Sequence, residues 1–140
     1  MKISIITVVR NGESTIADCM VSVLSQTTQP FEYIIIDGNS TDRTLDEIEE
    51  HRWAGVKVIS EPDQGLYDAM NKGILIASGD VVGILNSDDF FAGPKVLEKV
   101  VVLFKESGAD ALFADLVYVK PDNLKKVVRY YSGEGFTPEK

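Results

Sequence analysis

Four times along this chain a short apolar run gives way to a polar cluster and then to an apolar stripe at helical spacing. The first run is Ile3 to Val9, rich in β-branched residues. Arg10-Asn11-Gly12-Glu13-Ser14 follows, then Ile16, Met20, Val23 and Leu24. The second run, Phe31 to Ile36, leads into Asp37-Gly38-Asn39-Ser40-Thr41-Asp42. Ser40 or Thr41 is the expected N-cap of a helix whose Leu45 and Ile48 face inward. Val56 to Ser60 is broken by Glu61-Pro62-Asp63-Gln64-Gly65, ahead of a stripe of Leu66, Ala69, Met70, Gly73, Ile74 and Ala77. Asp80 to Leu85 ends in Asn86-Ser87-Asp88-Asp89, and Gly93-Pro94 opens a helix with Leu97, Val100, Val101 and Phe104 inward. A fifth strand is expected over Ala111 to Val119 and a further one over Lys126 to Tyr131. Buried apolar strands separated by amphipathic helices make an α/β fold, a three-layer sandwich about a mostly parallel, Rossmann-like sheet.

In such sheets ligands sit beyond the carboxyl ends of the strands. All four polar clusters fall there: Arg10-Asn11, Asp37, Glu61 to Gln64, and Asn86 to Asp89. A net charge of −8 excludes a nucleic-acid backbone as main partner, since such binders carry basic patches. It does not exclude a diphosphate held through a divalent cation. At 140 residues and 44% hydrophobic, the chain is long enough for one ordinary core. No apolar run is long enough for a transmembrane segment, and Met1 to Arg10 reads as a strand, not a signal peptide. One cysteine, Cys19, forms no internal disulfide; a small packing residue in a reduced, cytoplasmic setting is the expectation.

Adjacent carboxylates at Asp88 and Asp89 have two readings: an Asx turn before Phe90 and Phe91, or oxygen ligands for Mg²⁺ or Mn²⁺ that leave positions open for phosphate. Asp37 could accept the N–H of a base or a ribose hydroxyl, or cap the next helix. A phosphatase of the D-x-D-G-T kind is excluded by Asn39. Neither G-x-G-x-x-G nor G-x-x-x-x-G-K-[ST] follows the first strand, and G-x-S-x-G is absent, against a Rossmann oxidoreductase, a P-loop nucleotidase and an α/β-hydrolase. One Cys and one His cannot make a usual zinc site.

Ile5-Ile6-Thr7-Val8-Val9-Arg10-Asn11, Ser22-Val23-Leu24-Ser25-Gln26-Thr27 and Ile35-Ile36-Asp37-Gly38-Asn39-Ser40-Thr41-Asp42 resemble the opening of family 2 glycosyltransferases. Glu61-Pro62-Asp63-Gln64-Gly65-Leu66-Tyr67-Asp68-Ala69-Met70-Asn71-Lys72-Gly73 resembles the next block, and Asn86-Ser87-Asp88-Asp89 the family's D-x-D-type metal motif. The resemblance covers about residues 1–120, in order. It implies a GT-A fold, a nucleotide-diphospho-sugar donor (commonly a UDP-sugar), and a saccharide or lipid-linked acceptor. By position it implies that Thr7 and Val9 hold the base through backbone while Arg10 and Asn11 line the pocket. Glu13 would lie near the donor, Asp37 bind the base, and Ser40 share its loop. Gln64, Gly65, Asp68 and Asn71 would lie near ribose, diphosphate and sugar. Asp88 would face ribose or metal, and Asp89 the metal, Mn²⁺ or Mg²⁺.

Two features depart from the family's pattern. Asn39 stands where many members have a second aspartate. Members also usually continue well past the equivalent of Lys140, covering the acceptor and supplying the catalytic carboxylate. Residues 1–120 are therefore read as a donor-binding domain and 121–140 as the start of an incomplete acceptor side. Asp115 and Glu134 are the remaining carboxylates near plausible positions for a base, and neither matches the motif. The expectation is metal-dependent, inverting transfer in surface polysaccharide assembly, with peripheral membrane association, and with homodimer formation or poor solubility as the consequence of a missing half. A nucleotide-binding module without turnover is the alternative, and a sugar nucleotidyltransferase the more distant one.

Overall fold

The computed structural model describes residues 1–134. It divides into two compact units, Met1–Val102 and Leu103–Lys140. In the first, β1 (Ile3–Val9), β2 (Glu32–Asp37), β3 (Val56–Ser60) and β4 (Val81–Ile84) form one sheet in the order β3-β2-β1-β4. Every pairing is parallel, with Val9 opposite Asp37 and Ile6 opposite Ile84. The helices α1 (Ile16–Leu24), α2 (Thr44–Glu50) and α3 (Leu66–Ile76) connect them, and α4 (Val96–Ser107) follows β4.

All seven residues of β1 are buried, because β1 is central and covered on both faces. Ile3, Ile5 and Val9 point to one core with Ile16, Cys19, Met20 and Val23 of α1, Ile48 of α2 and Leu97 of α4. Ile6 and Val8 point to the other, with Ile34, Ile36 and Ala69 of α3. This is the expected three-layer α/β sandwich. α3 lies close on the sheet through small residues: a Cβ on Gly73 would stand 2.6 Å from Ile6 Cγ2. That close seating buries Ala69 and Gly73 and leaves Leu66 and Ile74 of the expected stripe exposed.

Other boundaries shift for physical reasons. α2 begins at Thr44, so neither Ser40 nor Thr41 caps it; Thr44 N–H donates to Asp42 Oδ1 at 3.0 Å instead. In the second unit β5 (Leu116–Lys120) pairs antiparallel with β6 (Asn123–Tyr131). The fifth strand starts at Leu116, not Ala111, because Leu116 faces Tyr131, the last residue of β6, and the ladder has no partner before it. Asp115 accepts from Tyr130 Oη–H and, at 2.8 Å, from Gly133 N–H. The boundary expected after residue 120 falls within this hairpin, and residues 135–140 of the expected C-terminal segment lie outside the described residues.

Candidate functional site

The chain runs outward from β1 to β2 to β3 and then returns to the far side of β1 for β4. The strand order therefore reverses between β1 and β4, and a crevice opens at that point beyond the carboxyl ends. Here lies a cleft of about 570 Å³. Val9, Arg10, Asn11 and Gly12 line it from β1, Asp63, Gly65, Leu66 and Ala69 from the start of α3, and Asn86, Ser87 and Asp88 from the end of β4.

The loop after β1 is held by left-handed backbone at Asn11 (φ 53°), which asparagine tolerates better than most residues. Asn11 N–H donates to Ser40 Oγ at 2.8 Å, and Thr41 N–H donates back to Asn11 Oδ1 at 2.9 Å. Gly12 N–H donates to Thr44 Oγ1 and Glu13 N–H to Asp42 Oδ2, while Arg43 N–H donates to Glu13 Oε2. The loops after β1 and β2 are thus laced together by reciprocal bonds. Glu13 is part of that lacing and does not line the cleft.

Asp37 is fully buried at the hub of this lacing. Its Oδ1 accepts Ser40 Oγ–H, and its Oδ2 accepts Ser40 N–H at 3.1 Å and Ser60 Oγ–H at 2.6 Å. Gly38 N–H donates to Val9 C=O at 2.8 Å, so that carbonyl is occupied by β2. Thr7 is also fully buried and accepts from Tyr33 Oη–H at 2.9 Å.

Asp63 was not singled out from the sequence, yet it lines the cleft: Gly65 N–H donates to its Oδ1 at 2.8 Å, and its carboxylate lies against Gly38. Its position after a strand end, beside the glycine turn, was the available signal. Gly65 has φ 113° and ψ 179°, a conformation open to glycine. It turns the chain so that α3 begins at the cleft, where the first helical N–H groups have no carbonyl within the helix. Asp68 caps that turn by accepting Gln64 N–H at 3.0 Å, which holds its carboxyl below the usual range against the opposing effect of burial, with Lys72 assisting. Gln64 and Asn71 are exposed nearby and do not line the cleft.

On the opposite wall Asp88 is exposed and Asp89 half-buried. Burial pushes the Asp89 carboxyl up, against a 3.3 Å bond from Asn86 Nδ2–H, and the Asp88 charge adds to the rise. Asn86 Oδ1 is a buried oxygen with no hydrogen-bond donor. Two carboxylates that repel and a partnerless oxygen beside them suit a hard cation. Among the described residues no group of three or more Asp, Glu, His or Cys side chains forms a closed metal cage. Mg²⁺ and Mn²⁺ sites of this type need none, because one or two carboxylates suffice when substrate and water supply the other oxygens. Phe91 packs on the core, while Phe90 is exposed.

Among the described residues Arg10 is the one cation lining the cleft, which Asp63 and Asp88 also line, and no carboxylate pairs with it. The model of the family described as Glycosyl transferase family 2 matches residues 4–138. The chain belongs to this family. Among its relatives within the family, a PGL/p-HBAD biosynthesis glycosyltransferase of Mycobacterium bovis (strain BCG / Pasteur 1173P2) is 31% identical over 118 residues, 81% of this chain and 46% of the relative. The chain thus spans about half the length of the curated relatives it matches. The structure of S. aureus TarS 1-349 in complex with UDP-GlcNAc superposes with a TM-score of 0.73 at 27% identity, covering 86% of this chain and 35% of that one. Glucosyl-3-phosphoglycerate synthase from Mycobacterium tuberculosis, in complex with Mn²⁺, UDP and glucosyl-3-phosphoglycerate, gives a TM-score of 0.53 at 26% identity over 61% of this chain and 33% of that one. The fold is therefore the GT-A fold of glycosyltransferases, and among the described residues no helix is long and apolar enough to cross a membrane.

Proposed function

We propose that this chain carries the donor site of a metal-dependent glycosyltransferase that binds a nucleotide-diphospho-sugar, a UDP-sugar first, and passes the sugar to an acceptor hydroxyl with inversion. The observation that carries the reading is the charge of the cleft: among the described residues its charged lining is Arg10, Asp63 and Asp88, and Asp89 follows Asp88 in the same turn. A diphosphate entering an acidic cleft needs a divalent cation to offset the repulsion. Mn²⁺ or Mg²⁺ held by Asp89 and Asp88 would stabilise the negative charge that develops on the leaving diphosphate. The TarS and glucosyl-3-phosphoglycerate synthase complexes, with their uridine nucleotides, support the donor class, and the latter's Mn²⁺ supports the cation.

The protein's own residues then have distinct tasks. Arg10, Asn11 and Asp63 line the side where the base enters, over the Asp37–Ser40 hub. Gly65 and the free N–H groups at the start of α3 face the diphosphate, with Gln64, Asp68 and Asn71 around that turn. Thr7 and Glu13 act by fixing the β1 end and its lacing, while the backbone of Val9 lines the cleft where the base is held. Residues 1–120 make the donor domain in this reading and 121–140 begin the acceptor side. The acceptor is a saccharide or a lipid-linked saccharide of surface polysaccharide assembly, met in the cytoplasm at the membrane face. Self-association through the exposed apolar residues of β5 and β6 belongs to the same reading.

Calorimetric titration of UDP and of GDP, with Mn²⁺ and with EDTA, tests it. Weak binding of one nucleotide in EDTA that Mn²⁺ strengthens in the wild-type chain, with that gain lost in Asp89→Ala, is the expected result; equal affinity of both chains in Mn²⁺ sinks the metal assignment. A second reading, for these 140 residues taken alone, is donor binding without turnover. Sugar transfer by these 140 residues would refute it.

A further inference from the structure

The block Ser22-Val23-Leu24-Ser25-Gln26-Thr27 lines no part of the cleft. Its polar residues nevertheless meet the loop that bears the two aspartates. Cys19, Ser22 and Gln26 stand at positions i, i+3 and i+7, on one face of α1 and its C-terminal extension. Cys19 Sγ–H donates to Asn86 C=O at 3.5 Å. The same carbonyl accepts Asp89 N–H at 3.0 Å, the bond that closes the aspartate turn. Ser22 Oγ–H donates to Cys19 C=O at 2.7 Å, which leaves its lone pair to accept Phe91 N–H at 3.1 Å. Gln26 is buried and uses both ends of its amide: Nε2–H donates to Gly93 C=O at 2.8 Å, and Oε1 accepts Leu97 N–H at 3.1 Å. The backbone on both sides of Asp88 and Asp89 is thus tied to one helix face.

On the donor-site reading above, we infer that Cys19, Ser22 and Gln26 are positioning residues for the aspartate loop. They touch neither nucleotide nor cation. They fix the turn that carries two mutually repelling carboxylates, Asp88 at the cleft and Asp89 behind it, a conformation that is costly without a cation to offset the repulsion. Core packing alone would not need this stripe: apolar residues at all three positions would bury as well, but would take from the Asn86 carbonyl its second donor and from the Gly93 carbonyl and the Phe91 and Leu97 amides the partners described above.

The test compares wild type, Ser22→Ala, Ser22→Thr and Asp89→Ala by titration with UDP and GDP in Mn²⁺ and in EDTA. Ser22→Ala is expected to weaken Mn²⁺-dependent affinity by about fivefold, the equilibrium factor of one buried hydrogen bond, by lowering the fraction of chains with the loop in place. Its affinity in EDTA should match wild type, and Ser22→Thr, which keeps the hydroxyl, should restore the Mn²⁺-dependent value. Equal affinity of Ser22→Ala and wild type in Mn²⁺ overturns the inference, as does an equal loss with and without metal. Absence of metal-dependent binding in the wild-type chain overturns the donor-site reading itself, and this inference with it. Hydrogen exchange on the wild type gives an arm independent of variant folding. Phe91 and Leu97 amides should be protected like those of α1, and exchange at the rate of a free loop refutes the pinning.

Discussion

Glu32 offers a test of how charge is handled away from the cleft. It begins β2, five residues before Asp37, so it lies about 16 Å from the cleft end of that strand. It is 5% exposed and accepts four hydrogen bonds. Ser4 Oγ–H (2.7 Å), Ser78 N–H (2.6 Å) and Ser78 Oγ–H (3.0 Å) all reach Oε1, and Lys57 Nζ–H reaches Oε2 at 2.6 Å. Burial works to raise its pKa, but the Lys57 and serine bonds outweigh it and bring the carboxyl from 4.5 down to about 2. At about 1.4 kcal/mol per pH unit this is worth about 3 kcal/mol at neutral pH. Lys57 is 54% exposed, and solvent screening lowers the figure to about 2 kcal/mol. The folded pKa is depressed, so this stability is present above the unfolded value and is lost as pH falls from 4.5 toward 2. Glu32→Gln keeps an oxygen for the three donors from Ser4 and Ser78 and loses the attraction of Lys57. Urea unfolding should show Glu32→Gln less stable by about 2 kcal/mol at neutral pH, with an unchanged m-value, and the gap should narrow as pH falls below 4.5. A gap that stays constant with pH refutes the charge argument. A changed nucleotide affinity in Glu32→Gln would refute the separation of this network from the cleft.

Three other outcomes follow from the same geometry. Asp89→Ala should abolish Mn²⁺-dependent nucleotide binding while leaving the thermal midpoint at or above the wild-type value, since it removes a half-buried carboxylate beside a like charge. Gly73→Ala should cost about 1–3 kcal/mol, as its Cβ would stand 2.6 Å from Ile6 Cγ2 in a packed core; a melt unchanged from wild type would mean that α3 can move away freely. Asn11→Ala should cost about 1–3 kcal/mol through left-handed backbone and the lost bond from Thr41 N–H, and should weaken nucleotide binding both with and without Mn²⁺. A loss confined to the Mn²⁺ condition would show that Asn11 acts on the metal side instead.

Much of the fold is legible in the chain because its periods are local. The Ile3–Val9 and Val56–Ser60 strands coincide with their apolar runs to the residue, and the α/β alternation follows from switching between short continuous apolar runs and stripes of period 3.6. The Asp37, Gly65 and Asp88 clusters are legible as rim residues once the sheet is taken as parallel. What failed locally failed where a distant residue competes. Ser40 and Thr41 look like caps, but Asn11, 30 residues before Thr41, takes the Thr41 amide, and Asp37 takes the Ser40 hydroxyl. Leu66 and Ile74 look like core, but Gly73 brings α3 so near Ile6 that they are left outside. Residues 111–115 look like strand, but the ladder ends at Tyr131.

The sequence by itself determines the layers and the rim, because burial of alternating strands and helices admits few other solutions. Only the tertiary structure decides which rim residues share a cleft. Strand order puts the end of β4 beside the end of β1, so Asn86 to Asp88 meet Arg10 and Asn11 across more than 70 residues of chain. It also sets Cys19, Ser22 and Gln26 behind the aspartate turn, where they satisfy backbone groups that the sequence could not show to need them. Hydrogen-bond satisfaction is a property of the packed chain, and a sequence records the donors without recording what they will face.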